Sequence, residues 1–171
     1  MKYNEYTFPR EFNYSKLDEK RVFMLIDMQP EYLICVKPEK MNQMLKNQLN
    51  VLSYCSNHDI PVIVLEYEEK GKTLETLTDI IRYIPRHSFL TKDMNNGFTN
   101  PNLIKQLKRW NVEEVYLMGV NASLCVKQTA EGVLENGFSI ATAEKVIGNM
   151  GNFFSDLSKD WYNSNGIYLE D

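Results

Sequence analysis

Three residues of different chemistry stand at the ends of short apolar runs. Asp27 closes Val22-Phe23-Met24-Leu25-Ile26, and Lys92 follows Phe89-Leu90-Thr91. Cys125 comes shortly after Gly119, which ends the run Val115-Tyr116-Leu117-Met118. A carboxylate, an ammonium and a thiol form a workable set for nucleophilic catalysis: the acid group moves a proton, the sulfur attacks, and the cation steadies negative charge. A thiol at the start of a helix sits in a positive local field that favours thiolate, and a nearby lysine favours it further. Each residue alone also has a plain structural explanation. An aspartate can cap the next segment, a lysine can be solvated surface, and a cysteine can be a small buried residue. What joins them is their common position relative to the elements that carry them.

Those elements are legible as alternating strands and helices. Val22-Phe23-Met24-Leu25-Ile26, Val115-Tyr116-Leu117-Met118 and Pro61-Val62-Ile63-Val64-Leu65 before Glu66 read as strands covered on both faces. Weaker strands are expected over 88–91, 139–142 and 167–169. Met41, Met44, Leu45, Leu49, Leu52 and Cys55 recur at helical spacing after Pro38, a residue suited to a first helical turn. Leu74, Leu77, Ile80 and Ile81 predict a shorter helix, and Pro101 opens one carrying Leu103, Leu107 and Trp110. Leu124, Val126, Ala130, Val133 and Leu134 fit a helix stopped by Asn136-Gly137. Phe153, Leu157 and Trp161 predict a last one. Strand and helix in alternation imply right-handed crossovers, hence an α/β protein with a parallel sheet between helical layers. Ligands in such sheets bind beyond the carboxyl ends of the strands. Asp27, Glu66, Lys92 and residues 121–125 are all expected there.

The 171 residues fit one domain spanning 1–171. A hydrophobic share of 43% and a charged share of 25% suit an ordinary globular chain. A net charge of −4 argues against a nucleic-acid partner. Three widely spaced cysteines do not make a disulfide framework. The N-terminal stretch shows no signal-peptide pattern and no run is long enough for a membrane span, so a cytoplasmic protein is expected. Gly71-Lys72-Thr73 has the tail of a phosphate loop, but Glu66 stands where its first glycine belongs. No dinucleotide-binding Gly-x-Gly-x-x-Gly follows the first strand. His58 and His87 show no metal-ligand spacing, so neither metal nor cofactor is expected.

Three segments carry a resemblance. They are Val22-Phe23-Met24-Leu25-Ile26-Asp27-Met28-Gln29, Lys92-Asp93-Met94-Asn95-Asn96-Gly97-Phe98-Thr99, and Gly119-Val120-Asn121-Ala122-Ser123-Leu124-Cys125-Val126. In this order and spacing the chain resembles the isochorismatase-like cysteine hydrolases, the superfamily of nicotinamidases and N-carbamoylsarcosine amidases. The resemblance implies a three-layer Rossmann-like fold with a six-stranded parallel sheet of order 3-2-1-4-5-6. It implies Asp27, Lys92 and Cys125 as a catalytic triad, a cis peptide between Val120 and Asn121, and the amides of Asn121 and Cys125 as an oxyanion hole. It also implies a pocket lined by Gln29, Tyr32, Glu66, Tyr67 and Phe98. The activity implied is hydrolysis of a C–N bond in a small molecule through a thioester, by a homo-oligomer of two or more copies. Residues 32–38 lack the histidines with which nicotinamidases hold a metal, which argues against that activity. The alternative weighed is an inactive binding or scaffold protein on the same fold. A nucleotide-binding α/β domain would need a phosphate-cradling glycine loop, which the chain lacks.

Overall fold

The computed structural model describes residues 20–34, 36–149 and 156–170. The elements in chain order are β1 (Arg21–Ile26), α1 (Pro30–Leu33), α2 (Pro38–Asn57), β2 (Val62–Tyr67), α3 (Glu75–Ile81), β3 (His87–Lys92), α4 (Pro101–Arg109), β4 (Glu114–Val120), α5 (Cys125–Glu135), β5 (Ser139–Ala143), β6 (Ile147–Gly148), α6 (Asp156–Asn165) and β7 (Ile167–Leu169). All strand pairs are parallel, and helices cover both sides of the sheet. The order β3-β2-β1-β4-β5-β7 is the one expected, with β7 in the last place.

The sheet has seven strands rather than six, because β6 pairs with β4 off this path. β5 accompanies β4 only over Glu114–Tyr116. The chain then makes one 3₁₀ turn, Glu144–Val146, and returns to β4 opposite Gly119 and Val120. A two-residue strand has too little alternation to be read from sequence. The single turn of α1 was not expected either; Pro30 opens it.

The apolar runs become the core. Residues 22–26 and 62–65 are all buried, as are Val115 to Met118. α2 turns Met44, Gln48, Val51, Leu52 and Cys55 inward, following the predicted stripe. α4 starts at Pro101, with the Asn100 side chain accepting from the Asn102 amide, and ends in Lys108 and Arg109. These cations suit the negative end of the helix. α5 stops before Gly137, whose φ of +83° a glycine accepts without strain. Phe153, expected on the last helix, lies outside the described residues. Among the described residues no helix is long and apolar enough to cross a membrane.

Candidate active site

β1 and β4 are neighbours in the sheet, with Ile26 opposite Gly119. Gly119 has φ +123°, and a Cβ there would stand 2.0 Å from the Ile26 carbonyl oxygen. Only glycine permits this approach, and just beyond it β1 delivers Asp27. The Asp27 amide still donates to Leu65 O (3.0 Å), while its φ of +52° turns the chain out of the sheet. Aspartate is one of the few residues that take this conformation readily.

Lys92 is the last residue of β3, paired with Tyr67 of β2. β2 separates it from β1, a span of two strand spacings, about 10 Å. Its long side chain bridges that gap. Nζ donates to Asp27 Oδ2 at 2.8 Å and to Met94 O at 3.1 Å, and lies 4.5 Å from the centre of the Tyr67 ring. Both members of the pair are buried, with side-chain exposures of 0% for Lys92 and 1% for Asp27.

Cys125 is the first residue of α5. Its thiol donates to Asn95 Oδ1 at 3.4 Å and rests against the Asp27 carboxylate. The Asn121 backbone amide also interacts with the sulfur and favours its charged form. Asp27 Oδ1 is buried and accepts no hydrogen bond from the described residues. One carboxylate oxygen is therefore held by Lys92 and the other is available.

Burial raises the Asp27 carboxyl above its ordinary value, against the opposing pull of Lys92. The Cys125 thiol is pushed up to about 12, by burial first and by the Asp27 charge second, with Lys92 pulling the other way. The helix end and the lysine favour thiolate. They are outweighed, and the resting sulfur carries its proton at neutral pH.

The loop between β4 and α5 is pinned on several sides. Its Val120–Asn121 peptide is cis. Ala122 N donates to Gly148 O at 2.8 Å, and Leu124 N and Val126 N both donate to Asn121 O at 3.0 Å. Asn149 Oδ1 accepts from Ser123 N at 3.0 Å and Ser123 Oγ at 3.2 Å, and Tyr162 donates its hydroxyl to Ala122 O at 2.6 Å. The Cys125 amide is among those that a helix leaves without an internal partner. It lies beside the sulfur on the same residue.

The five expected pocket residues divide. The Tyr32 hydroxyl is pushed up by burial and by the nearby Asp27 and Cys125 charges, and its ring meets the Tyr67 ring edge-on at 6.1 Å. Tyr32 therefore stands beside the Asp27–Cys125 pair, and Tyr67 stands beside Tyr32 and Lys92. Gln29 is instead committed to the chain: Nε2 donates to Tyr67 O (2.9 Å) and Gly71 O (2.7 Å), and Oε1 accepts from Tyr67 N (2.8 Å). Glu66 has both oxygens occupied, by Thr73 N at 2.9 Å and Lys72 Nζ at 3.0 Å. Phe98 packs on Gly132 of α5, about two helical turns from Cys125. Gln29 and Glu66 thus spend their polar atoms within the chain, and Phe98 packs away from the thiol. Asn95 and Asn149 were missed as individual residues. Asn95 stood within a quoted motif, but Asn95-Asn96-Gly97 reads simply as a turn, and nothing in the pattern around Asn149 marks it. Among the described residues no three His, Cys, Asp or Glu cluster as metal ligands.

A family model, Isochorismatase domain, matches residues 21–159, a stretch that includes all three residues of this cluster. The chain belongs to the isochorismatase family. An uncharacterized isochorismatase family protein of Bacillus subtilis (strain 168), YddQ, is 23% identical over 135 residues, covering 71% of this chain and 73% of that protein. Among solved structures, the chain is similar to the YcaC gene product of Escherichia coli, an octameric hydrolase of unknown specificity. That match has a TM-score of 0.77 at 18% identity and covers 92% of this chain and 78% of the other. It is also similar to N-carbamoylsarcosine amidase from Thermoplasma acidophilum, with a TM-score of 0.73 at 19% identity, covering 88% and 96% of the two chains. At these identities the structural likeness speaks for the isochorismatase-like hydrolase fold, and the chemistry must be argued from the cluster.

Proposed function

We propose that this isochorismatase-family chain is a cysteine hydrolase that cleaves an amide-type C–N bond in a small molecule. The observation that carries the reading is the Cys125 thiol resting against a buried carboxylate that has one oxygen held by Lys92 and the other open. Asp27 Oδ1 takes the thiol proton as Sγ attacks the substrate carbonyl carbon, so thiolate forms only when it is used. The carbonyl π electrons move to oxygen, where the amides of Asn121 and Cys125 donate to the developing charge. The tetrahedral species collapses, the C–N bond breaks, and Asp27 returns its proton to the departing nitrogen. A water deprotonated by Asp27 then attacks the thioester, and Cys125 leaves as thiol. Lys92 keeps the Asp27 carboxylate in place and ionised between these transfers.

The reading includes a homo-oligomer. Exposed Ile34, Met94 and Leu124 lie in the segments that follow β1, β3 and β4, at the same edge as the thiol. The octameric neighbour from Escherichia coli supports assembly on this fold.

The test is a panel of small primary and secondary amides, followed by intact-protein mass spectrometry. Turnover is expected with at least one of them, together with an acyl adduct mapped to Cys125. Cys125→Ala is expected to fold and to lose both. Turnover persisting in Cys125→Ala would remove the sulfur from the mechanism.

A further inference from the structure

Lys92 carries a fully buried positive charge, and an ammonium has three N–H donors. Two hydrogen bonds are made, to Asp27 Oδ2 and Met94 O. The remaining contact is the Tyr67 ring, 4.5 Å from Nζ to centroid. That is within cation–π range, and such contacts are strongest where water is excluded. Tyr67 also holds the chain one residue past the lysine. Its hydroxyl donates to Asp93 O at 2.6 Å, and the β2–β3 register places Tyr67 directly opposite Lys92. The tyrosine's own backbone is fixed in turn. Gln29, fully buried, bonds both its N–H and its C=O and ties them to the Gly71 carbonyl.

We infer that Tyr67 is a positioning residue for the Lys92–Asp27 pair, holding the ammonium on Asp27 Oδ2 through its ring face, with Gln29 as the brace behind it. This goes beyond lining a pocket, which is all that the sequence assigns to either residue. The groups facing Asp27 are Lys92 from β3, Cys125 from α5 and Tyr32 from α1. Those facing Lys92 are Asp27, the Cys125 thiol, the Met94 carbonyl and the Tyr67 ring. Of the residues that act on the Asp27 carboxyl, Lys92 is the largest influence lowering it, so loosening the ammonium must raise it further.

The functional meaning of this device rests on the proposed role of Asp27, but its test does not need turnover. Full-length protein with ¹³C-carboxyl aspartate is titrated by NMR, with the Asp27 signal assigned from Asp27→Asn. Position 67 is filled with tyrosine, phenylalanine, and phenylalanines of increasing fluorination, which keep the ring's shape while weakening its negative face. The Asp27 midpoint is expected to stay near the tyrosine value with phenylalanine. It should climb stepwise with fluorination, by about one pH unit for the fully fluorinated ring. Equal midpoints across the series would overturn the inference, as would a midpoint moved as far by plain phenylalanine as by the fluorinated rings. Amide turnover in the same proteins keeps the two readings apart. A fluorine-dependent midpoint without any turnover keeps the positioning role and removes the hydrolase; turnover with an unmoved midpoint does the reverse.

Discussion

In the proposed mechanism, Cys125 meets its substrate as a thiol and loses its proton to Asp27 only as it attacks. Burial and the Asp27 carboxylate both raise the thiol, which reaches about 12, so thiolate is scarce at neutral pH. The folded form thus holds this proton more tightly than the unfolded chain does. The associated stability is complete below the ordinary thiol value and is lost as the pH rises toward 12. The same ordering separates Asp27 as a source of charge from Asp27 as a carrier of protons. Asp27→Asn removes the second-largest influence raising the thiol, so Cys125 should become easier to ionise. Iodoacetamide labelling of Cys125 at pH 8 should accelerate, by about tenfold for each unit the thiol falls, while amide turnover collapses for want of a base. Slower labelling in Asp27→Asn would show the aspartate already drawing the proton at rest, contrary to this assignment. Asp27, Lys92 and Cys125 were legible in the sequence because each ends or follows an apolar run or opens a helix. The bracing by Tyr67 and Gln29 was not, because it depends on cross-strand register and on side chains meeting a loop backbone. Neither leaves a period or a motif in the chain.

The elements succeed or fail as readings according to length. β1, β2 and β4 are continuous apolar runs buried on both faces and could be read directly, while α1 and β6 are one turn and two residues long. The most exacting local requirement also falls on a long element, at Gly119 in β4. A Cβ there would meet backbone, 2.0 Å from Ile26 O and 2.8 Å from Ile26 N, at a φ of +123°. Gly137 is a useful contrast, with φ +83° and nothing within 4 Å of an added Cβ. Gly137→Ala carries only the left-handed backbone cost and should lower the unfolding free energy by about 1 kcal/mol. Gly119→Ala adds a clash that no side-chain rotation relieves, because the obstructing atoms are main chain. Its cost should be about 3 kcal/mol or more, and it should part β1 from β4 where Asp27 emerges. Urea unfolding of both variants checks this. A Gly119→Ala loss no larger than that of Gly137→Ala would mean that the strands can spread without penalty.

Across the whole molecule, the proposed site joins the middle of the sheet to its edge. β1 is hydrogen-bonded on both sides, by β2 and β4, and β4 is flanked by β1 on one side and by β5 and β6 on the other. β3 and β7 lie at the two ends of the strand order. Edge strands open more easily than central ones, and a lysine on such a strand is an insecure support for a buried carboxylate. The two edges differ, however. β7 is three residues long, with Ile167 exposed. β3 ends in a lysine bonded to Asp27 on β1's own exit, and the Tyr67 hydroxyl holds the next residue. The loop after it is fastened to α5 by Gly97 N donating to Thr129 Oγ1 at 3.0 Å. The site thus stabilises the edge on which it depends. Hydrogen exchange should therefore rank Phe23–Ile26 and Val115–Met118 slowest, exchanging only through global unfolding. Ile167–Leu169 should exchange at least roughly a hundredfold faster, and Leu90–Lys92 should fall between, closer to the centre than to β7. In Lys92→Met, that intermediate protection should drop toward the β7 level while β7 itself is unchanged. If Leu90–Lys92 already exchanges as fast as β7 in the unmodified protein, the ion pair does not hold the edge, and its stability must come from the β2 pairing alone.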